Sequence, residues 1–214
     1  MTSHRHTSSE PPAPAASDRT ASDRTASTEA LMLDAARECI LAVGWKRTTL
    51  TDVARRAGVS RMTIYRSWPD MQTLLADLMT REWSGVATAA SRAASGEGTA
   101  AARLVNGVVG TVRSVRANPL LRRIIDVDPE LLLPYLLDRP GRSQDAILQL
   151  LEHGVTAGQG DGSVRAGDVR LLARSVLLAA HGVTISAQTM AADEAGVAQL
   201  TDELATIVER YLRP

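Results

Sequence analysis

Residues 49 to 68 read Thr-Leu-Thr-Asp-Val-Ala-Arg-Arg-Ala-Gly-Val-Ser-Arg-Met-Thr-Ile-Tyr-Arg-Ser-Trp, and the rest of the chain takes its meaning from them. Leu50, Val53, Ala54 and Ala57 recur at spacings of three and four, which places them on one face of a helix. Thr49 is positioned to cap that helix, with Asp52 three residues on to meet the positive end of its dipole. Gly58 supplies the left-handed conformation that ends a helix at little steric cost. Val59 follows as a small apolar plug, and Ser60 caps a second helix expected to run to about Trp68. Two short helices crossing over a glycine-containing turn form a helix-turn-helix, whose second helix enters the major groove of DNA.

Charge agrees with that reading. From Lys46 to Arg66 there are six basic residues (Lys46, Arg47, Arg55, Arg56, Arg61 and Arg66) and one acid, Asp52, in a chain whose formal net charge is zero. A local excess of five is what neutralising phosphates requires. A run of arginines alone would more simply be a solvated face. Its coincidence with caps, central glycine and apolar spacing points to DNA.

These residues also carry a resemblance. Leu33-Asp34-Ala35-Ala36, Gly44-Trp45, Thr48 to Ala54, Ala57-Gly58-Val59-Ser60, Thr63-Ile64-Tyr65-Arg66, Trp68-Pro69-Asp70 and Leu74-Leu75 stand in the order found in one family. Residues 32–75, about a fifth of the chain, resemble the DNA-binding domain of the tetracycline-repressor (TetR-type) family of transcriptional regulators. The family usually has phenylalanine where Ile40 and Trp68 stand, a difference expected to alter packing rather than chemistry. It usually has a phosphate-contacting lysine where Met71 stands. The resemblance implies that Tyr65 contacts the DNA backbone through its hydroxyl, and that the last two helices pair with those of a second subunit as a four-helix interface. Candidate DNA-contacting residues are Lys46, Thr48, Thr49, Thr51, Ser60, Arg61, Met62, Thr63, Tyr65 and Arg66. Of these, Arg61, Thr63 and Arg66 are expected to read bases, while Thr49 and Tyr65 hold phosphates.

Composition sets the frame. The 214 residues suffice for one large domain or two small ones. Aromatics make up 3% and phenylalanine is absent, so Leu, Val, Ala, Ile and Met must build the interior, which suits an all-α fold. The single cysteine, Cys39, excludes an internal disulfide and a cysteine-based zinc cluster, and is expected to pack as a small hydrophobe. No run approaches the about 18 apolar residues of a membrane helix, and no signal-peptide pattern opens the chain. A cytoplasmic protein is expected, with neither cofactor nor metal.

The architecture expected is an N-terminal three-helix DNA-binding domain and a C-terminal helical ligand-binding and dimerisation domain. Residues 1–27 are rich in Ser, Thr, Ala and Pro and repeat Ser-Asp-Arg-Thr-Ala, which reads as a mobile arm. Should part of it be helical, Ala and Arg propensity extending the first helix is the cause to expect. Residues 28–70 form the DNA-binding domain, with its first helix from about Thr28 to Val43. Residues 71–214 form the regulatory domain. Its first helix runs from Met71 to about Ala94 and is the only evident mechanical link between the two. Helical spacing continues over 99–117, 120–127, 129–137 and 143–157, followed by a glycine-rich turn at 158–162. The last two helices are expected over 168–190 and 194–212. The first of these is apolar nearly all round, so it needs cover on more than one side, and a second copy of the chain is the natural supplier.

No catalytic constellation stands out. His4 and His6 lie in the arm, His153 meets a helix C-terminus, and His181 sits on an apolar helix. There is no His-Glu-x-x-His pattern and no nucleophile elbow. An enzyme is therefore not expected. Two readings remain: a ligand-responsive DNA-binding repressor, and a helix-turn-helix protein without an effector. The regulatory segment is larger than dimerisation requires and poor in aromatics, which favours an apolar small-molecule effector held among 71–190. Candidate lining residues are Val108, Val112, Tyr135, Leu151, Leu177 and His181, with Tyr135 and His181 as polar contacts.

Overall fold

The computed structural model describes residues 16–96, 98–137 and 140–214, with side chains from residue 25 onward. Among the described residues every regular element is helical. The chain runs through α1 (Ala16–Val43), α2 (Leu50–Ala57), α3 (Arg61–Ser67), α4 (Met71–Ala93) and α5 (Ala100–Ala117). It continues through α6 (Pro119–Val127), a 3-10 turn (Pro129–Leu132), α7 (Leu133–Leu137), α8 (Arg142–Gly160), α9 (Val169–Met190) and α10 (Glu194–Leu212).

Local chemistry accounts for most boundaries. Thr49 and Asp52 form a reciprocal capping box, each side chain accepting the other's backbone N–H at 3.2 Å. Gly58 ends α2 at φ 68° and ψ 27°, a conformation that disfavours any residue with a Cβ. Ser60 caps α3 by accepting from the Thr63 N–H at 3.1 Å, and Asp70 caps α4 by accepting from the Thr73 N–H at 2.7 Å. Pro119 begins α6, where its missing N–H costs no hydrogen bond.

Three expectations about the elements are corrected. The first helix begins at Ala16 rather than near Thr28. Ala and Arg propensity in the repeat continues it backwards, while residues 1–15 of the expected arm lie outside the described residues. Helix α8 continues to Gly160, so Gly158 and Gly160 are helical and the turn starts at Asp161. A Cβ on Gly158 would overlap the Val164 side chain, so this glycine admits a close approach rather than a turn. Helix α9 is long and apolar enough, by length and composition alone, to cross a membrane, against the expectation that no segment is.

Two apolar cores organise the molecule. The first takes Met32, Ala36 and Ile40 from α1, Leu50 and Val53 from α2, Ile64 from α3 and Leu74, Leu78 and Trp83 from α4. It also takes Leu120, Leu121 and Ile124 from α6 and Leu132 beyond it. Cys39 packs in this core, where burial pushes its thiol up and keeps it protonated. The second core joins α5, α8, α9 and α10 through Leu104, Val108, Leu151, Val155, Val176 and Leu204.

The first core removes the expectation that α4 is the sole link. Asp128, buried at the end of α6, accepts the Trp45 N–H at 2.9 Å, and Lys46 pairs with Glu130 at 2.5 Å. Helix α6 thus holds the loop that enters the helix-turn-helix. Helix α6 is nine residues long, and its buried face of Leu120, Leu121 and Ile124 lies against α1 and α5.

Candidate nucleic-acid interface and interior cavity

Helix α3 turns Ile64 fully inward and leaves Arg61, Met62, Tyr65 and Arg66 outward. Met62 is 78% exposed, which is unusual for so apolar a side chain and leaves it free to meet a thymine methyl. Arg61 and Arg66 make no ion pair among the described residues. Three other cations of the basic cluster are paired: Lys46 with Glu130, Arg55 with Asp52 and Arg56 with Glu38. Positive charge is thereby concentrated on α3 and on Arg47, whose Nε donates to the Val43 carbonyl.

Other expected contacts are placed less favourably. Thr48 is buried, and its hydroxyl donates to the Gly44 carbonyl at 2.8 Å. The Thr63 and Ser60 hydroxyls bond each other at 2.8 Å, so both serve the cap of α3 before any base. Thr49 is exposed with its hydroxyl on Asp52 at 2.6 Å, and Thr51, two residues after Thr49, is half-buried. Lys46 points to Glu130, on the regulatory side.

A cavity of about 170 Å³ lies behind this head, and Val108, Val112, Tyr135, Leu151, Leu177 and His181 all line it. Helix α4 contributes Ala76, Met79, Thr80, Trp83, Ala87 and Ser91, a single stripe at helical spacing. Small residues on the walls (Ala76, Ala87, Gly107, Ala180) leave the space open. Thr80, Thr111 and Thr184 each donate their hydroxyl to the carbonyl four residues back, which leaves their methyl groups to the interior. Polar character is thus confined to a few groups, among them Tyr135, His181, Arg103 and Arg142. Trp83 and the two arginines were not anticipated, although Met79 and Trp83 lie on the stripe that Leu75 and Leu78 also signal.

Burial pushes the His181 imidazole below the ordinary histidine range, so the neutral form faces the cavity. The unfolded chain, with a pKa near 6.5, takes up a proton first as the pH falls. The stabilising contribution is complete above that value and is lost as the pH drops through it towards the lower native value. His181→Gln should flatten the fall in Tm between about pH 7.5 and about pH 5 relative to the unchanged protein. Parallel Tm curves for the two proteins would refute this.

The family described as bacterial regulatory proteins, tetR family, matches residues 32–78. The HTH-type transcriptional regulator Rv2250c of Mycobacterium tuberculosis is 35% identical over 181 residues, covering 85% of this chain and 92% of that relative. The chain belongs to the tetR family of transcriptional regulators. Solved structures share the fold of this regulator. The repressor AlkX from Dietzia, implicated in biodegradation of n-alkanes, superposes with TM-score 0.65 at 21% identity over 86% of this chain and 94% of its own. FadR from Bacillus subtilis, solved with stearoyl-CoA, gives TM-score 0.62 at 17% identity over 86% and 98%.

Proposed function

We infer that this regulator is a repressor that binds a near-palindromic operator as a homodimer and releases it when a small apolar effector enters the cavity. The observation that carries this reading is a shared wall. Met79, Trp83, Leu121 and Leu132 belong both to the core of the reading head and to the cavity lining. An occupant that moves them moves the packing beneath α2 and α3. Solved relatives of the same fold support an apolar occupant: one was crystallised with an acyl thioester and another is implicated in n-alkane breakdown.

The energetics set what the effector must do. It releases DNA only by binding the DNA-incompetent arrangement more tightly, by about 3 kcal/mol for a shift of roughly two orders of magnitude. Trp83 lines the cavity and Trp68 caps α3, so fluorescence follows both ends of the path. In a thermal-shift screen of apolar compounds, binders should raise Tm, change tryptophan emission and weaken binding to the DNA upstream of the regulator's own gene. A screen that stabilises nothing would favour a helix-turn-helix protein without effector.

A further inference from the structure

Trp68 does more than fill the place of a phenylalanine. Its indole Nε1–H donates to Asp77 Oδ2 at 2.7 Å, and the other carboxylate oxygen of Asp77 accepts from the Arg142 guanidinium. Trp68 is the C-cap of α3, Asp77 lies on α4, and Arg142 opens α8 and lines the cavity. A single carboxylate therefore joins the recognition helix to the cavity mouth. The Arg142–Asp77 pair is largely solvent-exposed on the arginine side, so it holds weakly and can exchange partners.

The cavity lining has one sign of charge. Arg103 and Arg142 are its charged side chains, and no carboxylate lines it among the described residues. The lining stripe of α4 runs from Ala76 to Ser91, which spans ~22 Å at the helical rise. An elongated apolar space with a guanidinium at its mouth suits a linear chain bearing an anionic head. Of the two arginines, Arg103 donates to the Gly98 carbonyl at the start of α5, remote from the head. Arg142 follows Gly141, against which the Tyr135 ring lies, and both Arg142 and Tyr135 line the cavity, so polar groups gather at its end.

Resting on the reading of the cavity as the effector site, we propose that the effector is a long-chain amphiphile with an anionic head, and that Arg142 exchanges Asp77 for that head. The exchange leaves Asp77 held by the Trp68 indole alone, so the carboxylate is free to turn and the end of the recognition helix loosens.

The test uses full-length protein with palmitate, hexadecanol and hexadecyltrimethylammonium, each below its micellar concentration, and follows Trp83 quenching. Palmitate should bind about tenfold or more tightly than hexadecanol, and the cation should bind more weakly than either. Arg142→Gln should abolish the preference for palmitate over hexadecanol. In nitrogen-15 spectra, palmitate should shift the Trp68 indole N–H signal further than hexadecanol does. Palmitoyl-coenzyme A separates the sources of charge: a response to it alone assigns the head to phosphates, a response to palmitate to a carboxylate, and either supports an anionic head. Equal affinity for palmitate and hexadecanol would overturn the anionic head while leaving the apolar cavity reading intact. Loss of the preference in Arg103→Gln but not in Arg142→Gln would overturn the assignment to Arg142. Failure of every probe to bind would overturn both readings.

Discussion

Leu178→Arg should give a monomer that has lost most of its affinity for operator DNA. Leu178 is 70% exposed on α9 and Leu171, two turns earlier on the same stripe, is 63% exposed. Ile207 on α10 is 55% exposed, and a Cβ at Gly182 would meet nothing within 4 Å. The buried side of α9 is narrow, formed by Leu172, Ala173, Val176 and Ala187. One chain thus covers one side of a helix that is apolar on several. A second copy related by two-fold symmetry would cover the rest, with small residues admitting close approach. That cover would also account for a helix apolar enough to cross a membrane by composition. An arginine there would bury a charge with no partner, at a cost of about 3–5 kcal/mol. With the dimer gone, each head binds its half-site alone, and the avidity of paired heads, about 10²–10⁴, is lost. Light scattering and gel shift read the two effects separately. A monomer at micromolar concentration for the unchanged protein would sink the dimer reading.

Arg61→Ala and Arg66→Ala should each cost about 1–3 kcal/mol of operator binding and relax specificity at different base pairs. Five residues apart on α3, they project ~140° from each other around the helix axis, so they cannot share a base. Both lack the carboxylate partners that occupy Lys46, Arg55 and Arg56. Among the described residues no carboxylate therefore competes with DNA for them. Exposed Met62 and Tyr65 lie between them on the same helix, able to meet a base methyl and a phosphate. Competition binding with single-base operator variants measures the outcome. Equal weakening on all sequences, with unchanged operator preference, would make both arginines phosphate contacts only.

The contrast between what was legible in sequence and what was not follows from range. The caps at Thr49, Ser60 and Asp70, the left-handed Gly58 and the inward face of Leu50, Val53 and Ala54 depend on neighbours within four residues. Such interactions are written locally, so all were expected where they occur. The six candidate lining residues, chosen from the apolar, aromatic-poor segment over 71–190 with Tyr135 and His181 as its polar groups, line one cavity. The same local logic did not show that the Thr48 and Thr63 hydroxyls have partners within the fold, because position on a motif says nothing of whether a hydroxyl is already engaged.

Tertiary structure decided the connections between distant segments. Sequence by itself determined an all-α chain with a helix-turn-helix head, because helical period and capping chemistry are local and specific. It did not determine that α6 holds the head, since Trp45 and Asp128 are 83 positions apart and no pattern relates a backbone N–H to so distant a carboxylate. Nor did it determine that Lys46 faces Glu130, or that Trp68 reaches Arg142 through Asp77. Those pairings arise when two apolar cores close and bring polar groups at their rims within hydrogen-bond reach, an outcome of packing that no single segment encodes.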